Sequence, residues 1–170
     1  LKRFGSNGSF VVLKTDVSHT RDLKNGSQLF GKIQAQLSDK PLINTEQFSG
    51  GGLATARGYL EGTALGDNAI FATAEYRTPS ILGQADATDQ ENTKADEWRF
   101  HAFIDAGALS IYDPLPGQDR NTYLLSSGIG TRLRYREIFN SSLDLAVPLN
   151  AVPPVKQGDI RVTFRGWMDF

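Results

Sequence analysis

The sequence predicts an all-β protein, an antiparallel transmembrane β-barrel, on three observations. Apolar and polar residues alternate through most of the 170-residue chain, and helical periodicity is nearly absent. Several alternating runs reach the roughly 9–11 residues that a strand needs to cross a bilayer, against the usual five or six. The polar faces of these runs are heavily charged, with arginines in line on two of them, as in a wet barrel interior. A soluble sandwich alternates in the same way, so strand length and face charge carry the distinction.

The elements follow in order. Phe10 to Asp22 reads as a strand closed by Lys24-Asn25-Gly26-Ser27, where Asn-Gly is a strong hairpin signal. In the return strand, Ser27 to Ser38, Leu29, Ile33, Ala35 and Leu37 oppose Lys32, Gln34 and Gln36. Ala69 to Thr78 sets Ile70, Ala72, Ala74 and Tyr76 against Phe71, Thr73, Glu75 and Arg77, and Pro79 ends it. Residues 84–97 are polar and acidic and read as a connection. Trp98 to Ile111 is the clearest strand, with Trp98, Phe100, Ala102, Ile104, Ala106 and Ala108 on one face and Arg99, His101, Phe103, Asp105 and Gly107 on the other. After a turn-rich stretch from Asp113 to Asn121, Thr122 to Arg136 places Leu125, Ile129, Leu133 and Tyr135 opposite Gly128, Gly130, Arg132, Arg134 and Arg136. A turn near Phe139-Asn140-Ser141 leads to Leu143, Leu145 and Val147. In Asp159 to Phe170, Ile160, Val162, Phe164, Met168 and Phe170 oppose Arg161, Thr163, Arg165, Trp167 and Asp169. Trp98, Tyr112, Tyr123, Tyr135 and Phe170 lie near strand ends, where interfacial girdles form.

Composition removes several function classes. A net charge of −1 offers no electrostatic case for nucleic acid. Cysteine is absent and the two histidines, His19 and His101, show no HExxH spacing, so no metal site is expected. Around Asp86, Asp89 and Glu91 the spacing is not that of an EF-hand. Gly50-Gly51-Gly52 is followed by no GK[ST], and GxSxG is lacking, so no cofactor and no catalytic residue is expected. No apolar run approaches the roughly 18 residues of a membrane helix. Leu1-Lys2-Arg3-Phe4-Gly5 leads into no apolar h-region, so the chain is expected to have lost a leader or to begin partway through a longer one.

One connection stands apart. Residues 44–68 form a loop far longer than a hairpin turn, which marks it as functional or as a flexible solvent loop. Its glycines suit a backbone that folds back, and Arg57-Gly58-Tyr59 offers a planar cation, a permissive hinge and an aromatic anchor.

The run EQFSGGGLATARGYLEG, followed by Gly66-Asp67 and by AEYRTP at Ala74 to Pro79, resembles the haemolysin-activator type of two-partner secretion transporter, in the BamA-like superfamily of outer-membrane barrels. In that family the sixth extracellular loop carries Val-Arg-Gly-Tyr or Val-Arg-Gly-Phe and folds into the lumen. A later strand carries Phe-x-Asp-x-Gly, matched by Phe103-Ile104-Asp105-Ala106-Gly107. Ala56 stands where the family usually has Val. The resemblance runs from about residue 10 to Phe170. It implies that residues 1–170 are about seven C-terminal strands of a sixteen-stranded barrel, preceded by periplasmic POTRA modules. A complete eight-stranded barrel is the structural alternative.

The central expectation joins Arg57 to Asp105 in a bidentate fork, with Glu75 as second carboxylate, Gly58 allowing the turn, Tyr59 wedged against the wall and Phe103 packing on the loop. Strand parity supports this independently, because it puts Asp105 and Glu75 on one side of the sheet. Gly107 completes the wall motif. Blander readings stand beside it: a carboxylate satisfying a turn for Asp105, and solvated lumen charge for Glu75 and Arg77. Arg132, Arg134, Arg136, Arg161 and Arg165 line either a conduit or an ordinary hydrated interior.

The function expected is that of a Gram-negative outer-membrane pore exporting an unfolded partner exoprotein, with outer-membrane lipids and, through the terminal strand ending at Phe170, the barrel assembly machinery as further partners. The alternatives are a BamA-like factor that assembles other barrels and the barrel anchor of a fused lipase-type enzyme.

Overall fold

The computed structural model describes residues 9–82, 96–136 and 138–169. Among the described residues there are nine strands: β1 (Val12–Asp22), β2 (Gln28–Ser38), β3 (Phe48–Gly50), β4 (Ala64–Gly66), β5 (Asn68–Arg77), β6 (Glu97–Ser110), β7 (Asn121–Tyr135), β8 (Phe139–Pro148) and β9 (Arg161–Met168). Seven of them form one antiparallel sheet in the order β1-β2-β5-β6-β7-β8-β9. This is a meander interrupted once, where β3 and β4 pair as a separate hairpin inside the connection from β2 to β5. The acidic stretch up to Ala95, the segment Leu1–Gly5 and Phe170 lie outside the described residues.

The sheet inverts the burial of a water-soluble protein. Ile104 and Ile129 on the outer face are 47% and 61% exposed, whereas Asp105 and Asp144 on the inner face are 0% and 2% exposed. Leu13, Val17, Ile33, Ile70, Leu145 and Phe164 continue the apolar outer face. That distribution is unfavourable in water and favourable against lipid. Trp98 and Tyr135 lie on this face towards the end where β7 and β8 join, and Tyr123 towards the opposite end. Tyr112 leaves the expected girdle. Its amide donates to Asp67 and its hydroxyl to the Ser38 carbonyl, so it braces the base of the long connection.

The apolar core is small and lies on the inner face. Ala56, Tyr59, Ala64, Ala69, Phe71, Leu109, Leu124 and Val155 cluster where residues 44–68 pack onto the sheet. Phe48 stacks on Phe71 with centroids 5.4 Å apart. Gly107 makes room for that stack, because a Cβ there would lie 2.1 Å from the Phe71 ring.

Two boundaries differ from the sequence reading. The turn expected at residues 139–141 falls earlier, because Tyr135 already pairs with Phe139 and Arg136 takes a left-handed φ of 50°. Phe139, Asn140 and Ser141 therefore sit within β8, and Arg136 leaves the inner face for the turn. Glu97, read as connection, opens β6 opposite Arg134.

Because the chain contains no cysteine, single cysteines report each face cleanly. A bimane label on Ile129→Cys or Leu145→Cys is expected to be quenched by brominated lipids in reconstituted protein, and one on Ser126→Cys is not. Equal quenching at all three positions would contradict the assigned faces.

Candidate functional site

The loop between β2 and β5 enters the inner side of the sheet through a tightly bonded base. Asp67, fully buried, accepts from the Leu42 amide at 2.9 Å, the Tyr112 amide at 2.7 Å and Gln47 Nε2 at 3.2 Å. Gln36 donates to the Glu46 and Asp67 carbonyls. Directly after β3 the chain doubles back on Gly51 and Gly52, whose φ values of 103° and 85° few side chains tolerate. Thr55 Oγ1 closes this bend by accepting from the Gly51 amide and donating to the Gly51 carbonyl.

The bend delivers Arg57 to the wall, with only 5% of the residue exposed. Its Nε and Nη2 donate to the two oxygens of Asp105 at 2.9 and 2.8 Å, a bidentate fork, and its amide donates to Asp105 Oδ2 at 3.2 Å. Nη1 donates to Glu75 Oε1 at 2.8 Å and lies 3.8 Å from Asp144 Oδ1. The guanidinium carbon sits 3.4 Å from the centroid of the Phe103 ring, a cation–π contact that shields the pair from solvent. Burial disfavours the charge on Arg57, but the Asp105 hydrogen bonds and the Asp105, Glu75 and Asp144 carboxylates outweigh it and raise the pKa above the ordinary arginine value.

The wall carboxylates are themselves held. Thr73 Oγ1 donates to Asp105 Oδ1 at 2.9 Å. Glu75 accepts from Arg77 through Nε at 3.0 Å and Nη2 at 2.9 Å, and from Arg132 Nη2 at 3.1 Å. Asp144 Oδ1 lies 2.6 Å from His101 Nε2. Glycines on β7 create the space for this. A Cβ on Gly128 would meet the Phe103 ring at 2.4 Å, and one on Gly130 would meet Asp144 Oδ1 at the same distance.

Gly58 acts differently from the expected hinge. It has no left-handed φ, and its missing side chain lets the loop backbone press onto β7 and β8. A Cβ there would stand 2.7 Å from Ser126 Cβ and 2.8 Å from the Pro148 nitrogen. Tyr59, 0% exposed, ends the contact, its hydroxyl within 2.8 Å of the Asn150 carbonyl and 3.1 Å of the Leu125 carbonyl.

Of the remaining expected residues, Arg134 Nη2 lies 3.5 Å from Glu97 Oε2. Arg165 stacks on Trp167 at 4.3 Å. Arg161 is on the inner face of β9, with its Nε buried and unbonded. Gly107 seats the Phe71 ring, so it acts on the base of the loop. The sequence reading missed Asp144, Asp67 as a loop clamp, and Asn150. Asp144 carried a signal, an acid between the outward-facing Leu143 and Leu145; Asn150 carried none, because its role depends on the loop lying beside it.

A long antiparallel meander with a lipid-compatible outer face, a charged inner face and a connection folded against that inner face defines a portion of an outer-membrane barrel wall. The family described as "Haemolysin secretion/activation protein ShlB/FhaC/HecB" matches residues 3–133, and the chain belongs to it. Membership puts the chain in the outer membrane of a Gram-negative bacterium, in a family of two-partner secretion rather than of enzymes. Among solved structures, CdiB from Acinetobacter baumannii is similar in fold, with a TM-score of 0.63 and 20% identity over 94% of this chain and 27% of that one. The chain thus spans about a quarter of the length of that relative. No curated protein gives a significant match.

Gly58→Ala is expected to lift the loop from β7 and β8 at a cost of about 1–3 kcal/mol, the usual range for overpacking. The readout is faster proteolysis within residues 44–68 of the folded barrel; unchanged protection would show that the close approach is dispensable.

Proposed function

We propose that the chain forms part of an outer-membrane pore that exports an unfolded partner exoprotein, and that residues 44–68 are a re-entrant loop latched inside the lumen by Arg57. On this reading residues 1–170 are the C-terminal strands of a sixteen-stranded barrel, and POTRA modules elsewhere in the protein capture the cargo. The observation that carries the latch is the engagement of one buried guanidinium by two wall carboxylates, Asp105 and Glu75.

The physical logic is that of a reversible clasp. Removing one partner of a buried, hydrogen-bonded ion pair costs about 3–5 kcal/mol, because the other charge is left uncompensated. A clasp of that size holds a glycine-rich loop in the lumen, yet it is small beside the stability of a barrel whose strands are bonded along their full length. The loop is therefore the part of the wall able to move while the sheet stays intact. ATP is not available outside the inner membrane, so the directionality of export rests on folding of the cargo at the exit. Outer-membrane lipids cover the apolar face, and the terminal strand is the segment that engages the barrel assembly machinery.

Arg57→Ala in the intact protein is expected to cut secretion of the cognate exoprotein severely while leaving barrel in the outer membrane, as read by cargo in the medium against heat-modifiable protein in membranes. Arg57→Lys is expected to restore little, since a lysine offers no planar fork to Asp105. Normal export by the alanine variant would sink the latch.

A further inference from the structure

The inner face carries a second charged arrangement that meets the Arg57 cluster at Arg132 and extends beyond it. Cross-strand register sets Arg99 opposite Arg132, Arg132 opposite Ser142, and Ser142 opposite Arg165, one row across β6, β7, β8 and β9. Like charges directly opposite destabilise a sheet, and strands about 4.8 Å apart leave the Arg99 and Arg132 stems side by side. The nearby acids relieve the row only in part: Glu97 pairs with Arg99 and Glu75 with Arg132, and neither reaches Arg165. Glu75 already receives Arg57, Arg77 and Arg132. Glu97 lies within 3.5 Å of Arg99 and Arg134, Asp105 is occupied by Arg57, and Asp144 is bonded to His101.

Arg165 has no hydrogen bond or ion pair among the described residues, and its guanidinium is held only by stacking on Trp167. Arg99 spends Nη1 on the Gly26 and Thr78 carbonyls, and its Nε, like that of Arg132, is buried without a partner. The smallest member of the row, Ser142, separates Arg132 from Arg165. These three residues line a cleft of about 350 Å³ beside the loop tip, together with Lys32, Ala54 and Trp167. That volume lies within the range of about 300–1,000 Å³ found for ligand pockets. Arg57, Glu75 and Asp144 also face the cleft; both Glu75 oxygens are engaged by Arg57, Arg77 and Arg132, and Asp144 Oδ1 by His101.

We propose that the cleft between Arg132 and Arg165, floored by Ser142, is a binding site for a carboxylate supplied by an acidic side chain of an extended polypeptide in the lumen. It rests on the pore reading and adds to it a preference for what the lumen holds. A carboxylate here accepts from the fork of Arg165 and from the Ser142 hydroxyl, with Arg132 and Lys32 adding charge, and it offsets the charge of Arg165, the member of the row that has no acid partner among the described residues. The site is placed where a chain passing the loop tip would meet it, and contacts of this kind weaken as salt rises.

The test is fluorescence anisotropy on the intact protein in detergent, with a labelled peptide of repeating Asp-Ser and a control of repeating Asn-Ser. The Asp-Ser peptide is expected to bind about tenfold more tightly, since a hydrogen bond to a charged group exceeds a neutral one by about that factor. Arg165→Gln is expected to erase that margin. Ser142→Asp is expected to erase it too, by seating a carboxylate of the chain's own between the two arginines, whereas Ser142→Asn retains it. Equal binding of both peptides, or an unchanged preference in Arg165→Gln and Ser142→Asp, would overturn the site. Inorganic phosphate competing as well as the Asp-Ser peptide, mole for mole, would overturn the polypeptide source in favour of a small free anion. Arg165 has no hydrogen bond or ion pair with Asp105 or Glu75 among the described residues, so failure of the peptide preference leaves the Arg57 clasp standing, and normal export by Arg57→Ala would remove the clasp without bearing on peptide binding by the unaltered protein.

Discussion

A guanidinium withdrawn from water must find enough acceptors to replace its hydration, and the inner side of this sheet is organised around that requirement. Arg57 meets it with Asp105 on β6 and Glu75 on β5, and the Phe103 ring caps its face. The carboxylates in turn need their own donors, which Thr73, Arg77 and Arg132 supply. Each of these side chains has a position only because its strand register brings it to the same patch, so register and electrostatics specify one another here. A one-residue slip of β6 would turn Asp105 to lipid and Ile104 to the lumen.

The same constraint explains the distribution of small residues. Large groups crowd the inner face of β5, β6 and β8, and β7 yields to them at Gly128 and Gly130. The loop approaches β7 and β8 closely at Gly58, where backbone rather than side chain fills the gap. Burial of apolar surface plays a smaller part: the core cluster is confined to the packing of loop on sheet, and most large apolar side chains face outward. In lipid the sheet is held by its hydrogen-bond ladders, because unpaired backbone groups in hydrocarbon are costly. The loop is held instead by a few concentrated polar contacts at Arg57, Asp67 and Tyr59. The placement of the loop against the wall therefore rests on a few bonds.

Strand alternation determined a great deal from the sequence alone, because side chains on a strand alternate strictly and a charged inner face with an apolar outer one leaves two parities to choose between. Glu75, Asp105 and Phe103 could be put on one face in that way, and the length of residues 44–68 with its glycines marked a connection far too long for a turn. What depends on neighbours far along the chain was decided by tertiary structure only. The place of the β7–β8 turn follows from pairing of Tyr135 with Phe139, and the role of Gly58 from a strand surface it meets about 70 to 90 residues later. Asp67, Asp144 and Asn150 acquired partners, and the arginine row its alignment, from register across strands that no local pattern encodes. Periodicity is a property of adjacent residues and survives in one dimension; close approach and charge pairing are properties of distance, which only the folded sheet sets.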